Sequence, residues 1–451
     1  MAPNIEDIPA EMHLAILCSL SDLASLSNLI RASPAAYRVF NQNAYIVFMT
    51  TLQTCESTSD EAKAHIEAIA HLRTNFKFCP RPIHNLFDFS RLAFPDGSRQ
   101  LGGRHPIRLK WRKRDPRGER YRAISAAGTS LPKKMPVSVF HGLLADASRI
   151  RRLVNLFFVD HLERLRGAQF AEPVEASFYF SQSEEQQMAW KVHPTPRRYF
   201  PKLDRPITRC EHDRVTRAAW RLQLMRDLRA TTNVRLQKRL GGPDNRIPNS
   251  DDDCVISDVY YLWPDGGIFA RYEREEMNTF AEWLGVEMWM SMPSASFWLP
   301  DLRQALRQKE SDPRALLPTV GASSGYHVPP VDPERVVQDF DPQDPNASHG
   351  WFFFKQQLTN FARSPFRFAK FLFHLFRPLG MAIWSTERLN DMGLLPSTLL
   401  PPGSAPPHVS ALLCPGTCEE WSRVFFAWRS LLAPDEQASV QRYSELFASF
   451  S

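Results

Sequence analysis

Few residues in this chain have the types and spacing that chemistry requires. Gly321-Ala322-Ser323-Ser324-Gly325 matches the G-x-S-x-G spacing of a nucleophile elbow. Such an elbow works because a strand feeds a strained turn directly into a helix, exposing the serine hydroxyl. The residues that follow, Tyr326-His327-Val328-Pro329-Pro330, cannot supply that helix, so the reading is a loop. A pair such as His212-Asp213 can contribute to a divalent-metal site, but no partner histidines lie nearby. Its place at the start of a helix explains the aspartate on dipole grounds alone. Asp251-Asp252-Asp253 lacks the alternating spacing and the bidentate glutamate of a calcium loop, and reads as a solvated turn. Cys414 and Cys418 form a lone C-x3-C without a second ligand pair. There is no phosphate-binding glycine loop, no H-E-x-x-H pair and no paired zinc cysteines. The sequence therefore predicts no catalytic residues, no metal and no cofactor, and the chain is read as a protein that is not an enzyme.

Charge and aromatic clusters come next. The 451 residues carry 55 Lys+Arg against 49 Asp+Glu. Ten of the basic residues fall between Arg99 and Arg122, opposed there only by Asp115 and Glu119. The net charge of +6 is thus one basic segment on a near-neutral chain. Within it, Trp111 and Tyr121 interleave with charge, a composition that can grip phosphate and stack a base. Nuclear import is a second use, and a loop facing solvent or an acidic partner is the reading preferred; nucleic acid is not expected. Phe366, Phe368, Phe371, Phe373 and Phe376, with Arg367, Lys370 and Arg377, could lie on a membrane surface. The aromatics surround the helix, however, which predicts burial in a core and no membrane partner.

A high proline count (36) beside a low glycine count (19) predicts short elements separated by breaks. Aromatics at 12% exclude a disordered chain. The N-terminal MAPNIEDIPAE has no basic n-region, and seven scattered cysteines argue against a disulfide framework, so the expected compartment is the reducing cytoplasm or nucleus.

The elements are mainly helical. Pro9 suits the first position of a helix on which Met12, Ile16 and Leu20 recur at four-residue spacing, widened by Leu17. Ser21-Asp22 caps a second helix carrying Leu23, Leu26, Leu29 and Ile30 on one face. Ser33-Pro34 starts a third, with Tyr37, Phe40, Ala44 and Val47 as its apolar side. Three helices this short cannot bury all these positions among themselves, so part of their surface needs a partner. Further helices are expected after an Asp60 cap (Ile66, Ile69, Ala70), over Ile150–Leu165 and over Val215–Met225. The segment 255–269, turning at Pro264-Asp265-Gly266-Gly267, is the one hairpin candidate. Two stretches, 91–136 and 311–348, read as irregular. The expected fold is thus mainly α: a three-helix module over 1–48, then a large irregular helical domain over 49–451 with at most a minor β-hairpin.

Ile8-Pro9-Ala10-Glu11-Met12, Ile16-Leu17, Leu20, Asp22-Leu23, Ser25-Leu26, Leu29 and Ala32-Ser33-Pro34 resemble an F-box, specifically that of the F-box-like proteins of filamentous fungi. Ile8 and Met12 stand where Leu and Ile or Leu are commoner, swaps that keep apolar volume. Arg214–Asp227, Phe269-Ala270-Arg271-Tyr272 leading to Phe280–Leu284, and Leu379–Trp384 with Arg388-Leu389 also look like that group. The resemblance implies a ubiquitin-ligase substrate receptor that docks on the Skp adaptor of a cullin complex and bridges it to a protein substrate of unknown identity. The partner-binding candidates are Ile8, Pro9, Met12, Ile16, Leu17, Leu20, Leu23, Leu26 and Leu29, with Pro9 the first choice for a direct contact. The alternative is a stand-alone helical interaction module whose F-box is vestigial.

Overall fold

The computed structural model describes residues 5–55, 58–74, 131–168, 170–171, 198–199, 205–240, 269–285, 302–311, 350, 354, 372–394 and 427–448. Helix makes up 81% of the described part, and the fold is mainly α. A two-residue antiparallel pairing joins β1 (Phe170–Ala171) to β2 (Arg198–Tyr199). The hairpin expected over 255–269, the G-x-S-x-G stretch, the Asp251–Asp253 run, Cys414, Cys418 and the basic segment 99–122 lie outside the described residues, Phe269 excepted. So do the irregular stretches, apart from 131–136 and Ser311.

The chain starts with a 3₁₀ turn, Ile5–Asp7, followed by α1 (Ala10–Ser19), α2 (Leu23–Ala32) and α3 (Pro34–Thr54). Their punctuation follows from side-chain chemistry. Asp22 accepts the Ser25 amide at 2.8 Å and Ser33 accepts the Ala36 amide at 3.1 Å, each meeting a donor that the helix itself leaves unpaired. Pro34 follows the Ser33 cap directly, where its missing N–H costs nothing. Pro9 differs from expectation by one position. It is the N-cap of α1 and not its first residue; its carbonyl accepts from the Met12 and His13 amides. Helix α3 continues past residue 48 to Thr54 and kinks at Asn43 (φ −125°, ψ 23°). There the side-chain amide donates to the Val39 carbonyl at 3.1 Å, competing with the backbone ladder.

Two compact units can be drawn in the chain. The first comprises 1–156, 215–271 and 284–320, the second 157–214, 272–283 and 321–451. Helices α4 (Asp60–Arg73) and α8 (Leu302–Ser311) belong to the first. Helices α5 (Val137–Gly167), α6 (Arg209–Leu240) and α7 (Phe269–Trp283) contribute residues to both. The second holds a 3₁₀ run (Leu372–Leu379), α9 (Thr386–Asp391) and α10 (Pro434–Ala448).

In the first unit the periodic stripes are the core. Ile66, Ile69 and Ala70 of α4, Ile150, Leu153 and Val154 of α5, and Val215, Ala218, Ala219, Leu222 and Met225 of α6 are all buried. The cap of α4 is Ser59, which accepts from the Ala62 amide, and Asp60 is the first helical residue. Charge ties these helices together. Arg73 donates to Asp146 of α5 and, at 2.8 Å, to Asp227 of α6, and Arg149 also pairs with Asp146. Gly142 makes room for that guanidinium: a Cβ there would come within 3.0 Å of Arg73 Nη1.

In the second unit, Phe157 stacks on His161 at 3.8 Å and meets Phe280 and Trp283 edgewise or tilted. His161 is the buried, hydrogen-bonded core histidine that its apolar face predicts, with Nδ1 2.9 Å from the Phe157 carbonyl. Gly380 adopts φ +72°, and its bare Cα lies against His161 and Trp384, each about 3 Å from where a Cβ would stand. Fully buried Arg388 is paired with fully buried Glu211 at 2.9 Å. Arg214 donates to the Ile383 and Trp384 carbonyls at 2.8 and 3.2 Å. Of the Phe-rich run, Phe373 and Phe376 are described. Both are buried against Phe354, and Phe376 also against Trp428, on a 3₁₀ helix and not an α-helix. Among the described residues no helix is long and apolar enough to cross a membrane.

Candidate functional site

Helix α1 carries apolar side chains on both its buried and its exposed sides, and this divides the nine candidate residues. Leu17 is fully buried and His13 nearly so, both turned toward the core of the module. From α2, Leu23 and Leu26 join them, opposite Phe40, Val47 and Phe48 of α3. These apolar side chains hold three short helices together and are closed to a partner. The Thr51 hydroxyl donates to the Leu17 carbonyl at 3.4 Å, adding a polar tie between α1 and α3.

The other flank of α1 is open. Pro9 is exposed and Met12 is 54% exposed, while Ile8, Ile16, Leu20 and, on α2, Leu29 are half-buried. Pro9, Met12 and Ile16 are spaced three and four residues apart, and Leu20 follows four later, so they form one strip along the helix. Ile5, on the 3₁₀ turn that precedes α1 in the chain, is 42% exposed. An apolar strip that stays partly in water beside the buried face of its helix is suited to burying itself against another protein.

Two further apolar residues, neither named as a docking candidate, are exposed. Tyr37, assigned to the apolar side of α3, is 47% exposed, and this corrects the periodic reading. Its ring stacks on His141 of α5 at 5.3 Å, a contact that no local pattern encodes. Ile46 is 54% exposed. It falls outside the Tyr37–Phe40–Ala44–Val47 stripe, and an isoleucine off the buried side was the available signal.

Helix α5 braces the module from elsewhere. Arg151 reaches both carboxylate oxygens of Asp22 at 3.0 and 3.2 Å and the Ser25 hydroxyl at 3.2 Å. His141 Nε2 lies 2.7 Å from Asn41 Oδ1, and Phe140 packs on Phe48. Among the described residues these contacts engage α2 and α3, and Pro9 and Met12 stay exposed.

Of the motifs considered for chemistry, only His212-Asp213 lies among the described residues. His212 sits in α6, its ring stacked on Phe158 at 6.4 Å. Among the described residues, no group of three His, Cys, Asp or Glu side chains could hold a metal ion. Cys18, on α1, has its thiol pKa raised by burial, the wrong direction for a nucleophile.

No family model, curated protein or solved structure matches the chain.

Proposed function

We propose that this protein is the substrate-receptor subunit of a cullin-type ubiquitin ligase, bridging the Skp adaptor and a protein substrate. The F-box resemblance implies that role, and the observation that supports it is the open apolar strip Pro9–Met12–Ile16 on a helix anchored by Leu17. The chemistry is done elsewhere in such a complex. A receptor contributes proximity: it raises the effective concentration of substrate lysines near the charged ubiquitin carrier. The parts this chain supplies are a small docking face and a helical body for the substrate, working in the cytoplasm or nucleus.

The alternative is a stand-alone interaction module with a vestigial F-box. The fastening of α2 and α3 to α5 through Arg151–Asp22 and His141–Asn41 favours that reading, because part of the module's surface is spent inside the chain. Co-purification with the adaptor separates the two. The receptor reading expects capture by the wild type and loss of capture in Pro9→Ala combined with Leu20→Asp. Absence of capture by a folded wild type leaves the stand-alone module.

A further inference from the structure

The 3₁₀ turn Ile5–Asp7 buries none of its side chains, and three residues of 3₁₀ helix do not hold themselves in water. Something else fixes it, and the polar contacts identify what. Glu6 Oε2 accepts the backbone N–H of Ala35, the second residue of α3, at 2.9 Å. The Ser33 hydroxyl donates to the same carboxylate, and this bond, followed by the Ala35 amide, holds the Glu6 pKa below its ordinary value. His13 and Arg38 stand close enough to act in the same direction.

The first turn of α3 is thereby completed without water. Pro34 has no N–H, Ala35 gives its own to Glu6, Ala36 to the Ser33 hydroxyl and Tyr37 to the Ser33 carbonyl. A carboxylate at the positive end of a helix dipole is favourable as well. The consequence lies on the other side of the turn. Glu6 sits between Ile5 and Ile8-Pro9, so pinning its carboxylate to α3 sets where the upper end of the docking strip stands relative to Met12 and Ile16.

We propose that Glu6 is the positioning residue of the docking strip, latching the turn Ile5–Asp7 onto the N-terminus of α3 so that Ile5, Ile8 and Pro9 are preorganised for the adaptor. This rests on the receptor reading above. Preorganisation acts by removing the ordering cost at association, so losing the latch weakens binding and leaves the folded core alone.

The test uses the full chain as wild type, Glu6→Ala and Glu6→Gln, with adaptor affinity and the exchange rate of the Ala35 amide as readouts. Glutamine keeps an oxygen that can accept from Ala35. The expected result is that Glu6→Ala binds at least about tenfold more weakly, the factor one charge-assisted hydrogen bond is worth. Its Ala35 amide exchanges faster, its melting temperature falls by no more than a few degrees, and Glu6→Gln recovers most of the affinity. Binding by Glu6→Ala within twofold of wild type, with Ala35 exchange accelerated, overturns the proposal and leaves the receptor reading intact. No binding by the folded wild type removes both.

Discussion

Leu17 is fully buried and Met12, on the same helix, is 54% exposed. Both are large apolar residues in a stretch that resembles one docking motif, and the structure gives them opposite tasks. Leu17→Ala should cost about 3 kcal/mol, the usual loss for opening a leucine-sized cavity in a packed core. Met12→Ala should change stability by less than about 0.5 kcal/mol, as for an exposed site. Chemical denaturation of the two variants checks this, and equal effects would refute the division of the strip from the core.

Arg73 neutralises two carboxylates that approach the same guanidinium from different helices. Burial raises the pKa of Asp227, and the adjacent guanidinium works against that rise. Arg73→Met leaves Asp227 facing Asp146 with Arg149, which pairs with Asp146, as the remaining counter-charge. The expected loss is about 2–3 kcal/mol, below the figure for a fully buried pair because the arginine keeps some contact with water. Denaturant midpoints read it out, and adding Asp227→Asn should return part of the loss.

Arg388 and Glu211 form the fully desolvated counterpart. Glu211 also accepts the Ser385 and Thr208 amides, which with Arg388 hold its pKa below the ordinary value despite burial. Arg388→Met should cost about 3–5 kcal/mol by stranding a buried carboxylate. Arg388→Met combined with Glu211→Gln should cost clearly less than Arg388→Met alone, and a double-mutant cycle measures the difference.

Burial lowers the pKa of both His71 and His161 from 6.5 to about 4. An unfolded imidazole takes up its proton near pH 6.5, the folded ones only near 4, so between those values the unfolded chain binds more protons. Stability therefore falls as pH drops from 6.5 to about 4, by on the order of 3 kcal/mol for each histidine across the window. Neither ring nitrogen of His71 has a hydrogen-bond partner, so His71→Leu should flatten the slope without a penalty at neutral pH. Denaturation at several pH values between 4 and 7 tests this, and an unchanged slope would contradict it.

Where an element is set by local chemistry, it could be read from the chain. Asp22 and Ser33 were recognisable as caps, and the stripes Ile150–Leu165 and Val215–Met225 as buried faces, because capping and helical period need only neighbours. The same logic erred by one residue at Pro9 and Asp60, since a cap and a first helical residue favour overlapping residue types. What is non-local was not legible. Arg73 meets Asp227, Arg388 meets Glu211 and Tyr37 stacks on His141 only after the chain has folded. The nine docking candidates were named together for the same reason: spacing shows which residues are apolar, and only packing shows which of them face outward.

Calorimetric titration of purified Skp adaptor into the full chain shows whether the outward residues of α1 engage the adaptor. Saturable one-to-one binding by the wild type is expected. Met12→Asp should weaken it at least about tenfold, as expected for a residue near the centre of an interface, with no change in melting temperature. No heat of binding from a folded wild type, or equal affinity for wild type and Met12→Asp, would contradict it.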